Sequence, residues 1–415
     1  MPEEFRHLMQ ELLGEAESLL LLEALDKPPL TSIRLNPFKV QNAQQASTLF
    51  PNESLDKVVP WATNAFYLDS RPKFTLDPLF HAGMYYVQEA SSMFVEQALQ
   101  LCGKPQMVLD LCAAPGGKST LLRSLIPDEA LLVSNEFVRS RADILVENMM
   151  KWGHERIVVT NNAPKDFAKA DHLFDVILAD VPCSGEGMFR KDNPAQEMWS
   201  MENVKNCQTR QRNILCDVWQ ALKPNGFLIY STCTFNTLED EDNVKFIRDE
   251  LGAEIVPIPI NKEWGITGNL YGEDNLPVYH FFPHKTKGEG FFLALLKKNG
   301  TPSSNTKTDI KWQRLSAKLN CLLNGIPEYE EKGHKKIPTH NLAMARYNIT
   351  NPNKYPVFEL TYEQALDYLR HQALKIEAPR GYVLVTYQNI PLGFVNNLGS
   401  HANNLYPQHY TIRHL

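Results

Sequence analysis

Two cysteines are the residues best suited to covalent chemistry. Cys183 closes the apolar run in DVILADVPCSGEGMFRKD (residues 175–192), and Cys233 closes the one in GFLIYSTCTFN (residues 226–236). Each run predicts a strand, and polar or glycine turn residues follow each cysteine at once. Most free thiols are buried small hydrophobes, but a thiol at the rim of a fold is placed to act as a nucleophile.

The surrounding pattern shows what must position them. MVLDLC, ALLVSNE, RIVVTN, DVILAD and GFLIYST are short apolar runs, with helical stretches such as SRADILVENMMKWG and NVKNCQTRQRNILCDVWQALKPNG between several of them. Alternation of this kind predicts an α/β fold with a Rossmann-like, doubly wound parallel sheet, extended by EIVPIPI and GFFLALLKK with an antiparallel edge. Cys183 and Cys233 then end the fourth and fifth strands, neighbours that open on one crevice.

Before the sheet, residues 1–100 mix helix signals with turns and begin with one amphipathic helix, giving an α+β N-terminal domain. The sheet domain spans 101–298. KKNGTPSSNTKTD (Lys297 to Asp309) is too polar to bury a core, so 299–310 is a linker. The C-terminal domain, 311–415, opens with helical pieces at Trp312–Leu323 and TYEQALDYLRHQAL, then a hairpin, GYVLVTYQNIPLGFV.

The first strand leads into LDLCAAPGGKSTLL, a strand, a small-residue turn and a helix. Glycines allow close backbone approach, and exposed amides at a helix start favour a carboxylate or anion. The spacing fits neither GxxxxGK[ST] nor GxGxxG. Glu136, closing ALLVSNE, stands where a nucleoside site needs an acid for the ribose hydroxyls.

Composition limits the alternatives. The seven cysteines, 102, 112, 183, 207, 216, 233 and 321, form no Cys-x-x-Cys pair, which argues against a disulfide framework or zinc site; no metal is expected. His280 and His284 suggest a metal pair less than a segment packed by aromatics. No apolar run approaches the ~20 residues of a membrane span, and the start lacks signal-peptide features, so a cytoplasmic protein without membrane contact is expected. The net charge of −6 is uneven: residues 297–415 carry 15 Lys+Arg against 8 Asp+Glu, and the remainder 27 against 40. A basic tail on an acidic body points to a polyanionic partner.

Paired thiols suit methylation of cytosine at carbon 5. That carbon is a poor nucleophile until a thiolate adds at carbon 6; a second group then assists expulsion of the thiolate. An acid such as Asp180 can hydrogen-bond the ring at N3.

LDLCAAPGGK, DVPCSGEGMFRK and YSTCTFNTLEDE resemble the motifs of the RNA cytosine-C5 methyltransferases of the Nol/Nop/Sun group. TSIRLNP, YYVQEASSM and the tail resemble a bacterial branch that acts on small-subunit (16S) ribosomal RNA. The resemblance implies that Cys233 is the nucleophile and that Cys183 assists release. It also implies S-adenosylmethionine as cofactor, held by Cys112, Ala113, Ala114, Pro115, Gly116, Gly117, Lys118, Glu136 and Asp180, with Asn162 where the family carries its adenine contact. The tail resembles a PUA-like RNA-binding domain, and a monomer acting on RNA is expected. Arg34, Asn36, Arg190 and Lys191 are candidates to grip the RNA around an extruded base. Two rivals share these features: the same chemistry on transfer RNA, and a non-catalytic RNA-binding assembly factor, which loss of either cysteine would have favoured.

Overall fold

A computed structural model describes residues 1–40, 43–50, 55–191, 193–301, 308–350 and 354–413. Part of the expected linker, residues 302–307, lies outside them. A nine-stranded sheet forms the centre. Its strands are β1 (Met107–Asp110), β2 (Leu131–Asn135), β3 (Ile157–Thr160), β4 (Phe174–Asp180), β5 (Leu222–Thr232), β6 (Ala253–Ile255), β7 (Tyr279–Phe281), β8 (Phe291–Lys298) and β9 (Cys321–Asn324). Along the main path the order is β7-β8-β5-β4-β1-β2-β3-β9, and β6 pairs with β8.

The five strands from β5 to β3 run parallel, as expected of runs apolar on both faces. β7, β8 and β9 are antiparallel additions at the two ends. Two apolar layers sandwich the sheet, one containing Val108, Leu132 and Leu178, the other Leu109, Val133 and Ile177. The strand order reverses direction between β1 and β4. At such a switch point the loops leaving the two strands diverge and open a crevice.

Three expectations need correction. The opening helix is two, Glu3–Leu13 and Glu15–Leu25, because Gly14 takes φ +79° between them. The helix placed at Trp312–Leu323 runs Thr308–Ser316, and the following CLLN becomes β9, covering the edge of β3. Lys297 and Lys298 belong to β8 rather than to the linker; Lys298 is buried and donates to the carbonyls of Trp219 and Leu222.

The N-terminal sheet has three strands, with Thr31–Leu35 between Ala65–Leu68 and Tyr85–Val87. The C-terminal sheet has four, and the expected hairpin is its middle pair, Gly381–Tyr387 and Ile390–Asn397. Gln388 and Asn389 make its turn at φ +50° and +63°, the doubly left-handed form that suits the twist of a two-residue hairpin. Among the described residues no helix is long and apolar enough to cross a membrane.

Candidate active site

The loop leaving β1 ends at Gly116, whose φ of +116° turns the chain into the helix Gly117–Leu125. Neighbours pin the loop through its backbone. Ala113 N–H donates to Asn135 O, and Ala114 and Pro115 carbonyls accept from Arg141 and Asn148. Cys112, Ala113, Ala114, Pro115, Gly117 and Lys118 line a cavity of about 430 Å³ together with Asp180 and Cys233. Tyr86, Gln88, Lys191 and Phe291 also stand on its walls.

Three acids surround the loop. Asp110, at the end of β1, is wholly buried; one oxygen accepts from Ser119 at 2.6 Å, the other has no partner, and burial pushes the carboxyl up to about 7. Glu136 follows β2. Its Oε1 accepts from Val138 N–H at 2.9 Å, while its buried Oε2 accepts no hydrogen bond and lies 3.6 Å from Arg141. Asp180 ends β4, accepting from Lys118 Nζ and from Ser231 Oγ, both at 2.8 Å. Burial alone would lower the Lys118 ammonium, but Asp180 and the nearby Cys233 outweigh it and hold the group above its ordinary value.

The two thiols meet as adjacent strands require. Cys183 Sγ and Cys233 Sγ are 3.2 Å apart, and Cys183 Sγ accepts the Cys233 backbone N–H at 3.4 Å. Cys233 lines the cavity; Cys183 sits behind it. The hydrogen bond with Cys233, then burial, pushes the Cys183 thiol well above its usual range.

Other expected residues stand elsewhere. Gly116 shapes the turn, and neither it nor Glu136 lines the cavity. Asn162 is also outside it: its side-chain oxygen accepts from Asn320 N–H and its backbone amide donates to Asn135, so its polar groups serve the junction of β2, β3 and the chain entering β9. Arg34 is buried beneath the glycine loop, donating to Gln88, Thr120 and Gly117 with its guanidinium 4.7 Å from the Trp152 ring. Asn36 is buried too, tying Gly83 to Trp152. Arg190 binds Lys27, Pro28 and Gly288 carbonyls and Glu289. These three are therefore scaffold residues rather than RNA grips; Lys191 alone of the four reaches the cavity. His280 and His284 turn to different carboxylates, Glu241 and Glu17, so they do not form a pair.

Sequence reasoning missed Glu186 and Glu239. Both are fully buried beside the thiols, three residues beyond Cys183 and six beyond Cys233. Their signal was an acid inside each cysteine motif, which ordinary burial statistics assign to the surface.

The fold and site have counterparts among known proteins. Residues 98–297 match the family model for the 16S rRNA methyltransferase RsmB/F, residues 1–90 that for the N-terminal domain of 16S rRNA methyltransferase RsmF, and residues 355–412 that for the methyltransferase RsmF PUA domain. Ribosomal RNA small subunit methyltransferase F of Escherichia coli O9:H4 (strain HS) is 29% identical, covering 98% of this chain and 96% of the relative; that of Shigella boydii serotype 18 matches equally well. A methyltransferase homolog protein from Pyrococcus horikoshii superimposes with a TM-score of 0.62 at 28% identity, over 72% of this chain and 95% of its own. NSun6 from the same organism, solved with SFG, has the same fold at 20% identity, with a TM-score of 0.62 over 72% of this chain and 99% of its own.

Proposed function

Because the chain belongs to the 16S rRNA methyltransferase RsmB/F family, we propose that it transfers a methyl group from S-adenosylmethionine to carbon 5 of a cytosine in small-subunit ribosomal RNA. The observation that carries this reading is the sulfur pair: two thiols 3.2 Å apart, one of them on the wall of the cavity that the cofactor loop opens.

The cofactor supplies an electrophilic methyl group. The residues present suit it: Glu136 Oε2, which accepts no hydrogen bond and lies 3.6 Å from Arg141, has an acceptor for a ribose hydroxyl, and Asp110 Oδ1, also without a hydrogen bond, one for an ammonium. Cys233, as thiolate, adds to carbon 6 of the cytosine, which makes carbon 5 nucleophilic. Asp180 accepts one bond on each oxygen and keeps lone pairs for the ring's amino group, while Lys118, oriented by Asp180, has a spare N–H for the ring nitrogen. After methyl transfer the proton on carbon 5 passes to a solvent water, its C–H electron pair forms the C5=C6 double bond, and the C6–S bond breaks, returning its electron pair to Cys233. Cys183, a thiol within reach of that sulfur, assists the departure.

A target base must leave its stack to reach Cys233 at a cost of a few kcal/mol, so the N-terminal domain and the basic tail are proposed to hold the surrounding RNA. The test is to incubate wild type, Cys183→Ala and Cys233→Ala with cofactor and small-subunit RNA and to seek a protein-RNA adduct on denaturing gels. Accumulation with Cys183→Ala alone supports the assignment. Accumulation with Cys233→Ala instead reverses the two roles, and methylated product from Cys233→Ala removes the covalent step.

A further inference from the structure

We propose that Glu186 and Glu239 are positioning residues that bolt the loop bearing Cys183 to the loop bearing Cys233 and so fix the distance between the two sulfurs. The proposal rests on the two-thiol reading above. Neither carboxylate touches the cavity; each acts through the backbone that carries a cysteine.

The bonds run crosswise. Glu186, on the Cys183 loop, accepts from Phe235 N–H at 2.6 Å and from Asn236 Nδ2 at 2.7 Å, both on the Cys233 loop. Glu239, beyond Cys233, accepts from Ser184 N–H at 3.1 Å, the residue next to Cys183. Asn236 Nδ2 donates to both acids, reaching Glu239 at 3.0 Å. Gln211 Nε2, from the helix Met201–Trp219, donates to Glu239 at 2.6 Å and to Pro182 O at 3.0 Å, bracing the same junction from below. Gly187 N–H closes it on the other side by donating to Cys233 O at 2.8 Å.

The chemistry of the partners is uniform. Phe235 N–H, Asn236 Nδ2 and Trp199 Nε1 are donors to Glu186, and Ser184 Oγ is oriented to be a fourth. Ser184 N–H, Asn236 Nδ2 and Gln211 Nε2 are donors to Glu239. A carboxyl group serves this set in either state, its one acid proton turning to Ser184 Oγ, whereas an amide turns an N–H toward a donor. Two buried carboxylates side by side are costly unless hydrogen-bonded, and this many bonds at one junction marks a geometry held tightly. The neighbourhood also leaves no slack: a Cβ on Gly187 would stand 2.5 Å from Gly290 O.

The sulfur separation can be read without catalysis. Diamide takes two electrons and two protons from a pair of neighbouring thiols and leaves a disulfide, at a rate set by how often the sulfurs meet. In the full-length protein, mass analysis of the Cys183–Cys233 disulfide after diamide should show formation slowed about tenfold by Glu186→Ala and by Glu239→Ala, with Glu186→Gln and Glu239→Gln intermediate. With cofactor and RNA, the same Ala variants should raise the ratio of trapped adduct to released product toward that of Cys183→Ala. An unchanged disulfide rate in folded Gln variants would overturn the proposal, whatever the activity. A slowed rate with no adduct from any variant, Cys183→Ala included, would uphold the clamp and count against the covalent reaction instead.

Discussion

Lys118 Nζ lies 2.8 Å from Asp180 Oδ2 and 5.2 Å from the centre of the Phe291 ring, so the ammonium is held between a carboxylate and an aromatic face on the cavity wall. In the proposed reaction a cation fixed there would stabilise the charge that develops on the ring as the thiolate adds. Removing one such preorganised donor costs about 10² to 10³ in turnover. Lys118→Met should lose that much in single-turnover methylation while binding RNA within about twofold of wild type by filter assay. Equal loss in binding would make Lys118 an RNA contact instead.

Glu136 and Asn162 should separate in cofactor binding. Glu136 keeps a buried oxygen free of hydrogen bonds, whereas the side-chain oxygen of Asn162 accepts from Asn320. Glu136→Gln should weaken cofactor binding by about 10- to 100-fold in calorimetry, the worth of a hydrogen bond to a charged acceptor, roughly 1.5 to 3 kcal/mol. Asn162→Ala should change it less than threefold. The reverse order would return Asn162 to the cofactor site.

Burial, with Glu239 nearby, pushes Glu186 up to about 7 from an ordinary 4.5. In that window the folded chain keeps a proton that the unfolded chain has released. Stability from this group is therefore complete below about pH 4.5 and lost as the pH rises through 7, by an amount of order 3 kcal/mol. Urea unfolding of Glu186→Gln should show a shallower fall between pH 5 and 8 than wild type. An identical slope would mean that Glu186 stays ionised throughout.

The hairpin Tyr329–Lys332/Lys335–Pro338 carries an unfavourable pairing. Lys332 stands directly opposite Lys335 in register, and both are exposed. Like charges facing across strands weaken a hairpin, so a phosphate between them would relieve it. Replacing Lys332 and Lys335 by Gln should lower the slope of log affinity against log salt for small-subunit RNA by about 0.7 to 0.9, the share of one phosphate contact. No change in slope would leave these lysines as solvated charge.

The chemistry-bearing strand ends were legible because each motif is contiguous: Cys183 and Cys233 follow apolar runs that could only be neighbouring strands, and the glycine loop follows a third. Arg34 and Arg190 were misread because a lone arginine in sequence looks like surface charge; only the folded chain shows carbonyls and an aromatic ring gathered around it. β9 was missed because four residues with one turned inward give no periodic signal, and the preceding helix hid its start. Glu186 and Glu239 were invisible for a related reason. Their partners come from segments some fifty residues apart, and no local pattern reports that.

The position of β9 bears on how this protein can be cut. Cys321–Asn324 pairs with β3, and Gly325 N–H continues the pairing to Ile157 O. A fragment ending in the polar stretch after Lys298 would bare one whole flank of the sheet, a row of unused amides and carbonyls ready to recruit a strand from another molecule. An expression fragment meant to stay soluble without its tail should therefore end beyond Gly325; the chain's obvious seam is the wrong place for scissors.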